Sequence, residues 1–221
     1  MSFFNRLQKE TVTEREALYN VPQIMDGMRG AISRETYLAY LEQAYHHVKH
    51  TLPLLMAAGS RVPAEKEWLR RSFAEYIKEE TGHEEWILND IKNAGGDADS
   101  ARKSSPSLPV ELMTSYAYDL VMRRNPVGFL GMVFVLEGTS IAIATHAAET
   151  IRTSLKLKKD CFSYLLSHGS LDVSHMQFFE KTVNQITDKK DQQDIIHTAR
   201  IIYHLFAEMF RGIPHKVKEN L

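Results

Sequence analysis

The chain has 221 residues, 43% hydrophobic and 25% charged, the composition of a globular protein able to bury a core. Its 27 Lys and Arg balance 28 Asp and Glu, so no net charge drives it onto nucleic acid or a membrane. One cysteine, Cys161, excludes an internal disulfide and fits a reducing cytoplasm, and the opening Met1-Ser2-Phe3-Phe4-Asn5-Arg6 lacks the layout of a secretory signal.

Apolar residues recur at spacings of three and four almost throughout, with no alternating strand pattern. The spacing predicts a first helix over Phe3 to Tyr19 and a short one from Pro22 up to Gly30. Ser33 opens another, running to about Gly59. Pro63 opens a long helix through Asn93, closed by Gly95-Gly96. A loop is expected between Ala94 and Pro109, then helices over Val110 to Arg124, Pro126 to Leu155, Asp160 to Ile186 and Lys189 to Lys218. In the third of these, His168-Gly169-Ser170 is a plausible kink. Amphipathic helices on both sides of the loop need partners from both halves, so the expectation is one all-α domain, 1–221, of about seven to eight helices.

From Asn125 to Ala148 the only charged residue is Glu137. With Pro126, Gly128, Gly131, Gly138, Ser140 and His146 inside it, this stretch reads as the buried core helix of a bundle rather than a membrane span. An ionised carboxylate in the middle of such a helix would cost several kcal/mol or more unless protonated, paired or bound to a cation. Its stripe reads Leu130, Val133, Phe134, Glu137, Ser140, Ile141, Ala144, with no Lys or Arg on that face.

Two further stretches put metal-binding side chains on inward stripes. In Glu80-Thr81-Gly82-His83, a helix would set Glu80 and His83 on one face with Phe73, Tyr76, Ile77 and Ile87. Glu79 is the rival ligand, on a wetter stripe through Ser72 and Glu75. The third stretch places His168, Asp172 and His175 at i, i+4 and i+7, beside Cys161, Tyr164, Leu165 and Phe179. Taken singly, each has a plain reading: a surface pair, a protonated or Tyr-bonded acid, a hydrogen-bonded seam. Two divalent cations resolve all three at once. Imidazole and carboxylate without thiolate favour iron, with manganese as the alternative. Glu42, His46 and His50 also share a face, beside His47, and read as a polar face or pocket wall.

At these residues the sequence resembles the heme-oxygenase-like di-iron oxidases and oxygenases, within the superfamily of TenA-type thiaminases and the last enzyme of pyrroloquinoline quinone synthesis. The family pattern is a Glu and a His on one core helix, a Glu on the next, and His-x3-Asp-x2-His on a third. Glu80 and His83, Glu137, and His168, Asp172 and His175 fill those positions. The resemblance implies a heme-oxygenase-like bundle, two iron(II) ions that are partly occupied or absent in some structures, and dioxygen activation. Glu137 and His83 become the expected catalytic residues, a small molecule the substrate, and a cytoplasmic homodimer the form. Members that consume their own side chain have a Tyr directly before the middle Glu, where this chain has Leu136. A thiaminase-like member needs a Cys on the helix that here carries Glu137, and true heme oxygenase needs a His in the first helix, which has none. The rivals are a metal-independent enzyme of the same superfamily working by acid–base chemistry, and a non-catalytic small-molecule-binding protein. Pocket walls are expected from the helices around Phe134, Ile141 and Tyr164.

Overall fold

The computed structural model describes residues 1–215, and for residues 168–174 the backbone alone. The fold is all-α, with no β-strand among the described residues. Short helices α1 (Phe3–Glu10), α2 (Val12–Tyr19) and α3 (Pro22–Arg29) lead into α4 (Arg34–Val48), α5 (Thr51–Arg61), α6 (Glu67–Glu80) and α7 (His83–Asn93). Then come α8 (Ala98–Lys103), α9 (Leu108–Arg123), α10 (Leu130–Thr139), a π-helical turn over Ser140–Ala144 and α11 (Thr145–Leu155). α12 (Ser163–Val183) and α13 (Lys189–Gly212) follow.

Several boundaries follow local chemistry. Ser33 caps α4, its hydroxyl accepting from the Thr36 amide at 3.1 Å, and Gly30 ends α3 at φ 67°. The helices are more numerous and shorter than the seven or eight expected, for identifiable reasons. The Thr11 hydroxyl donates back to the Leu7 carbonyl at 2.8 Å and the chain turns there, splitting the first predicted helix. Pro53 lacks an amide proton and its ring would strike the Lys49 carbonyl, so α4 ends and α5 restarts at Thr51. The predicted helix from Pro63 to Asn93 breaks at Thr81, which is extended, and Gly82, at φ 92°. Inside the expected loop, the Asp97 carboxylate caps α8 by accepting from the Ser100 amide at 2.9 Å.

The stretch Pro126–Leu155 is the one described helix long and apolar enough to cross a membrane, and 67% of its most apolar window is buried inside the fold. α10 lies on α12 and α13, approaching α13 so closely that a Cβ at Gly131 would sit 2.4 Å from the Ile195 carbonyl oxygen. Elements from the two ends of the chain share the core: α1 and α2 pack on α13, α3 on α11, and α4 on α7 and α9. Apolar side chains gather in one group around Phe73, Phe134 and Phe179 and another around Tyr37, Ile87 and Phe162. Residues of both groups line one cavity.

Candidate metal and substrate site

That cavity, about 140 Å³, is bounded mainly by apolar and aromatic side chains, among them Leu55, Phe129, Met132, Leu136, Phe206 and Phe210. Two carboxylates, Glu80 from the end of α6 and Glu137 from α10, line it together with Tyr76 and His47. Among the described residues no lysine or arginine lines it.

Glu80 and His83 do not share a continuous helical face, which corrects the expectation from their spacing. They sit on opposite sides of the Thr81–Gly82 corner, and the turn still brings them together: His83 Nδ1 lies 3.0 Å from Glu80 Oε2. The buried His83 ring also stacks on Trp86, with centroids 4.2 Å apart. His175 Nε2 lies 3.3 Å from Glu79 Oε2, in a neighbouring pocket with Glu75 and Phe178. Glu79 is indeed the wetter of the pair, 41% exposed against 11% for Glu80, yet it meets the α12 histidine. The side chains of His168 and Asp172 lie outside the described residues. Among the described residues no three His, Cys, Asp or Glu side chains converge to enclose an ion. The donors that are described form two pairs, Glu80–His83 and Glu79–His175, with Glu137 on the cavity wall.

Tyr76 stands amid these groups. It is 1% exposed, packs edge-on against Phe178 at 5.3 Å, and its hydroxyl has no hydrogen-bond partner among the described residues. Burial and then the negative charges of Glu137, Glu79 and Glu80 push its phenol far above the usual range. A buried hydroxyl left alone costs roughly 1–3 kcal/mol. The sequence pattern marks Tyr76 as core, although its place one turn before Glu80 on the same stripe was the available signal.

Two more features position the site. Asp90 of α7, fully buried, caps α12 from another helix: it accepts from the Ser163 amide at 2.9 Å, the Ser163 hydroxyl at 2.6 Å and the Tyr164 amide at 2.9 Å. Burial raises its pKa despite these bonds. The helix that bears His83 thereby fixes the start of the helix that bears His175. Second, the π turn beginning three residues after Glu137 shifts the register of the core helix, so Ser140, Ile143 and Ala144 face the cavity and Ile141 does not. Tyr164 lines the cavity as expected, but Phe134 packs instead in the aromatic core with Phe4, Phe179 and Tyr203.

Cys161 is buried, and desolvation, then Asp160, raises its pKa, which keeps it a thiol rather than a nucleophilic thiolate. The Glu42–His46–His50 stripe is spent on hydrogen bonds: His46 Nε2 meets Ser104 Oγ at 2.8 Å, and His50 Nδ1 meets Tyr118 Oη at 3.1 Å.

The family model described as "iron-containing redox enzyme" matches residues 38–207. The chain belongs to that family. The matched span runs from α4 to α13 and includes every residue proposed above for metal. No curated protein sequence matches the chain. Among solved structures, it is similar to a domain of unknown function with a heme oxygenase-like fold from Shewanella denitrificans, at 20% identity and TM-score 0.86 over 96% of this chain and 92% of that one. A TenA homolog from Pseudomonas syringae gives 8% identity and TM-score 0.77 over 95% and 91%. Heme oxygenase from Leptospira interrogans gives 14% and 0.75 over 95% and 98%. At such identities the likeness establishes the heme-oxygenase-like fold of this iron-containing redox family member.

The residues present fit iron. The donors are carboxylate, imidazole and phenol without thiolate, and the orphaned Tyr76 hydroxyl marks a buried polar spot on the wall that Glu80 and Glu137 share.

Proposed function

We propose that the chain is a non-heme di-iron oxidase or oxygenase that uses dioxygen to oxidise a small apolar or amphipathic molecule held in the cavity. The observation that carries this reading is the presence of Glu80 and Glu137 on one largely apolar cavity wall that, among the described residues, bears no lysine or arginine. Two carboxylates in such a setting are stabilised by cations. Glu80, His83, Glu137 and His175 supply donors, and His168 and Asp172 complete the set. Bound iron would supply the electrons that reduce dioxygen.

The chain's own residues do the rest. Apolar walls formed by Leu55, Met132 and Phe206 exclude water and hold the substrate. The Glu80 contact and the Trp86 stack fix the His83 imidazole. Asp90 anchors the start of α12.

The test is anaerobic titration with iron(II) followed by measurement of dioxygen uptake. Two ions per chain are expected, and His175→Ala should weaken iron affinity by at least about 10-fold, since losing a direct ligand costs no less than losing a group that only orients one. A wild-type protein that takes up no iron, or a His175→Ala variant that binds and reacts unchanged, sinks the reading.

A further inference from the structure

Several tyrosine hydroxyls elsewhere in this fold have work to do. Tyr37 donates to the Cys161 carbonyl at 2.7 Å, Tyr116 meets Thr198 Oγ1 at 3.2 Å, and Tyr118 meets His50. Tyr76 is different. Its hydroxyl is fully buried, has no hydrogen-bond partner among the described residues, and belongs to a side chain that lines the cavity with Glu80 and Glu137. Its ring lies against Phe178, which borders the pocket of Glu79 and His175. A phenylalanine would fill the same space without the buried oxygen. That buried, unpartnered oxygen, on a side chain that lines the cavity of Glu80 and Glu137, points to a partner that arrives with the cofactor.

We propose that Tyr76 gives its phenolic oxygen to iron, as a ligand beside Glu80 and Glu137. Coordination breaks the O–H bond: the proton leaves to solvent and the oxygen's electron pair goes to the ion, as metal binding generally releases protons from its ligands. This rests on the iron reading above, and it adds a donor that the residue pattern of the sequence does not include. A phenolate ligand favours iron(III) over iron(II), so Tyr76 would also set which oxidation state the site rests in.

The experiment is to load the full chain with iron(II) anaerobically, oxidise it with stoichiometric ferricyanide, and record visible absorption and resonance Raman spectra. The expected result is a phenolate-to-iron(III) charge-transfer band with enhanced tyrosinate ring modes. Y76F should keep iron and lose both signals, while Y40F and Y164F, which alter other tyrosines of the cavity, should keep them. Iron-loaded wild type without the band, or a Y76F protein that retains it, overturns the assignment while leaving the iron reading intact. A wild type that binds no iron overturns both. Should Y76F fold poorly, Tyr76→His keeps a donor at the position: loss of the tyrosinate modes in that variant supports the assignment, and their survival overturns it.

Discussion

Two clusters of histidine and glutamate sit in this bundle, and they are built in opposite ways. In the seam between α4 and the segment after α8, Lys49 Nζ lies 3.1 Å from His46 Nδ1, His46 Nε2 lies 2.8 Å from Ser104 Oγ, and that hydroxyl donates to Glu42 Oε1 at 2.7 Å. Because the ammonium can only donate, Nδ1 accepts, Nε2–H donates to Ser104, and the chain of protons runs one way to the carboxylate. The Ser107 amide, donating to Gln43 Oε1 at 2.8 Å, stitches the same segment down. This seam contains its own cation and its own donors. The wall around Tyr76, Glu80 and Glu137 carries carboxylates without a lysine or arginine among the described residues, and the Tyr76 hydroxyl has no partner there. A polar cluster that supplies its own cation is structure, whereas a cavity wall that combines carboxylates with an unpartnered phenol and, among the described residues, no lysine or arginine is arranged for something from outside.

The largest way to sharpen this contrast is to delete one polar group from each cluster in metal-free protein. Tyr76→Phe should raise stability by about 1–3 kcal/mol, because it removes a buried hydroxyl that has no hydrogen-bond partner among the described residues. Glu42→Leu should have the opposite sign, lowering stability by about 1 kcal/mol through the lost Ser104 bond. Urea unfolding of both variants checks the signs, and destabilisation by Tyr76→Phe would mean that the phenol is already well served by the protein. A Glu137→Leu variant should fail to hold iron.

Much of this was legible in the sequence, and the exceptions have physical causes. Pro22 with Gly30, and the Ser33 cap, fixed their helices because those signals act within one turn. The inward face of Glu137 was readable because an apolar helix with one charge leaves few alternatives. The Pro53 break was readable in principle too, but a strong apolar periodicity on both sides masks it. The π turn at Ser140–Ala144 was not readable, since it depends on how the core helix meets its neighbours and no residue type encodes it. Nor could spacing show that Tyr76 would lack a partner or that Glu79 would meet His175, because both facts depend on tertiary approach.

Next in expected size is the corner that holds Glu80 and His83 together. Gly82 has φ 92° and open space around the position of a Cβ, so Gly82→Ala meets no clash and tests backbone conformation alone. The variant should lose about 1–2 kcal/mol, the usual cost of a left-handed L-residue. It should also weaken iron binding, because His83 begins its helix at the next residue. A thermal melt with and without iron separates the two effects. If stability falls but iron affinity holds, the corner serves the fold and not the site.

The smallest effect belongs to the self-satisfied seam and is a matter of pH. His46 has its pKa lowered by burial and then by Lys49, and His50 likewise by burial and then Lys49, while Glu42 pulls the other way on His46. A histidine depressed in the fold binds fewer protons there than in the unfolded chain, so its contribution is complete above the unfolded pKa near 6.5 and is lost as pH falls. Protonating His46 would also turn its Nδ1 from acceptor to donor against an ammonium that can only donate, which breaks the proton chain at its first link. Stability should therefore decline as pH drops from about 6.5 toward 5, and His46→Gln should flatten that slope. Urea midpoints of wild type and variant across the range measure it, and an unchanged slope would show that the seam is not the source of the acid sensitivity.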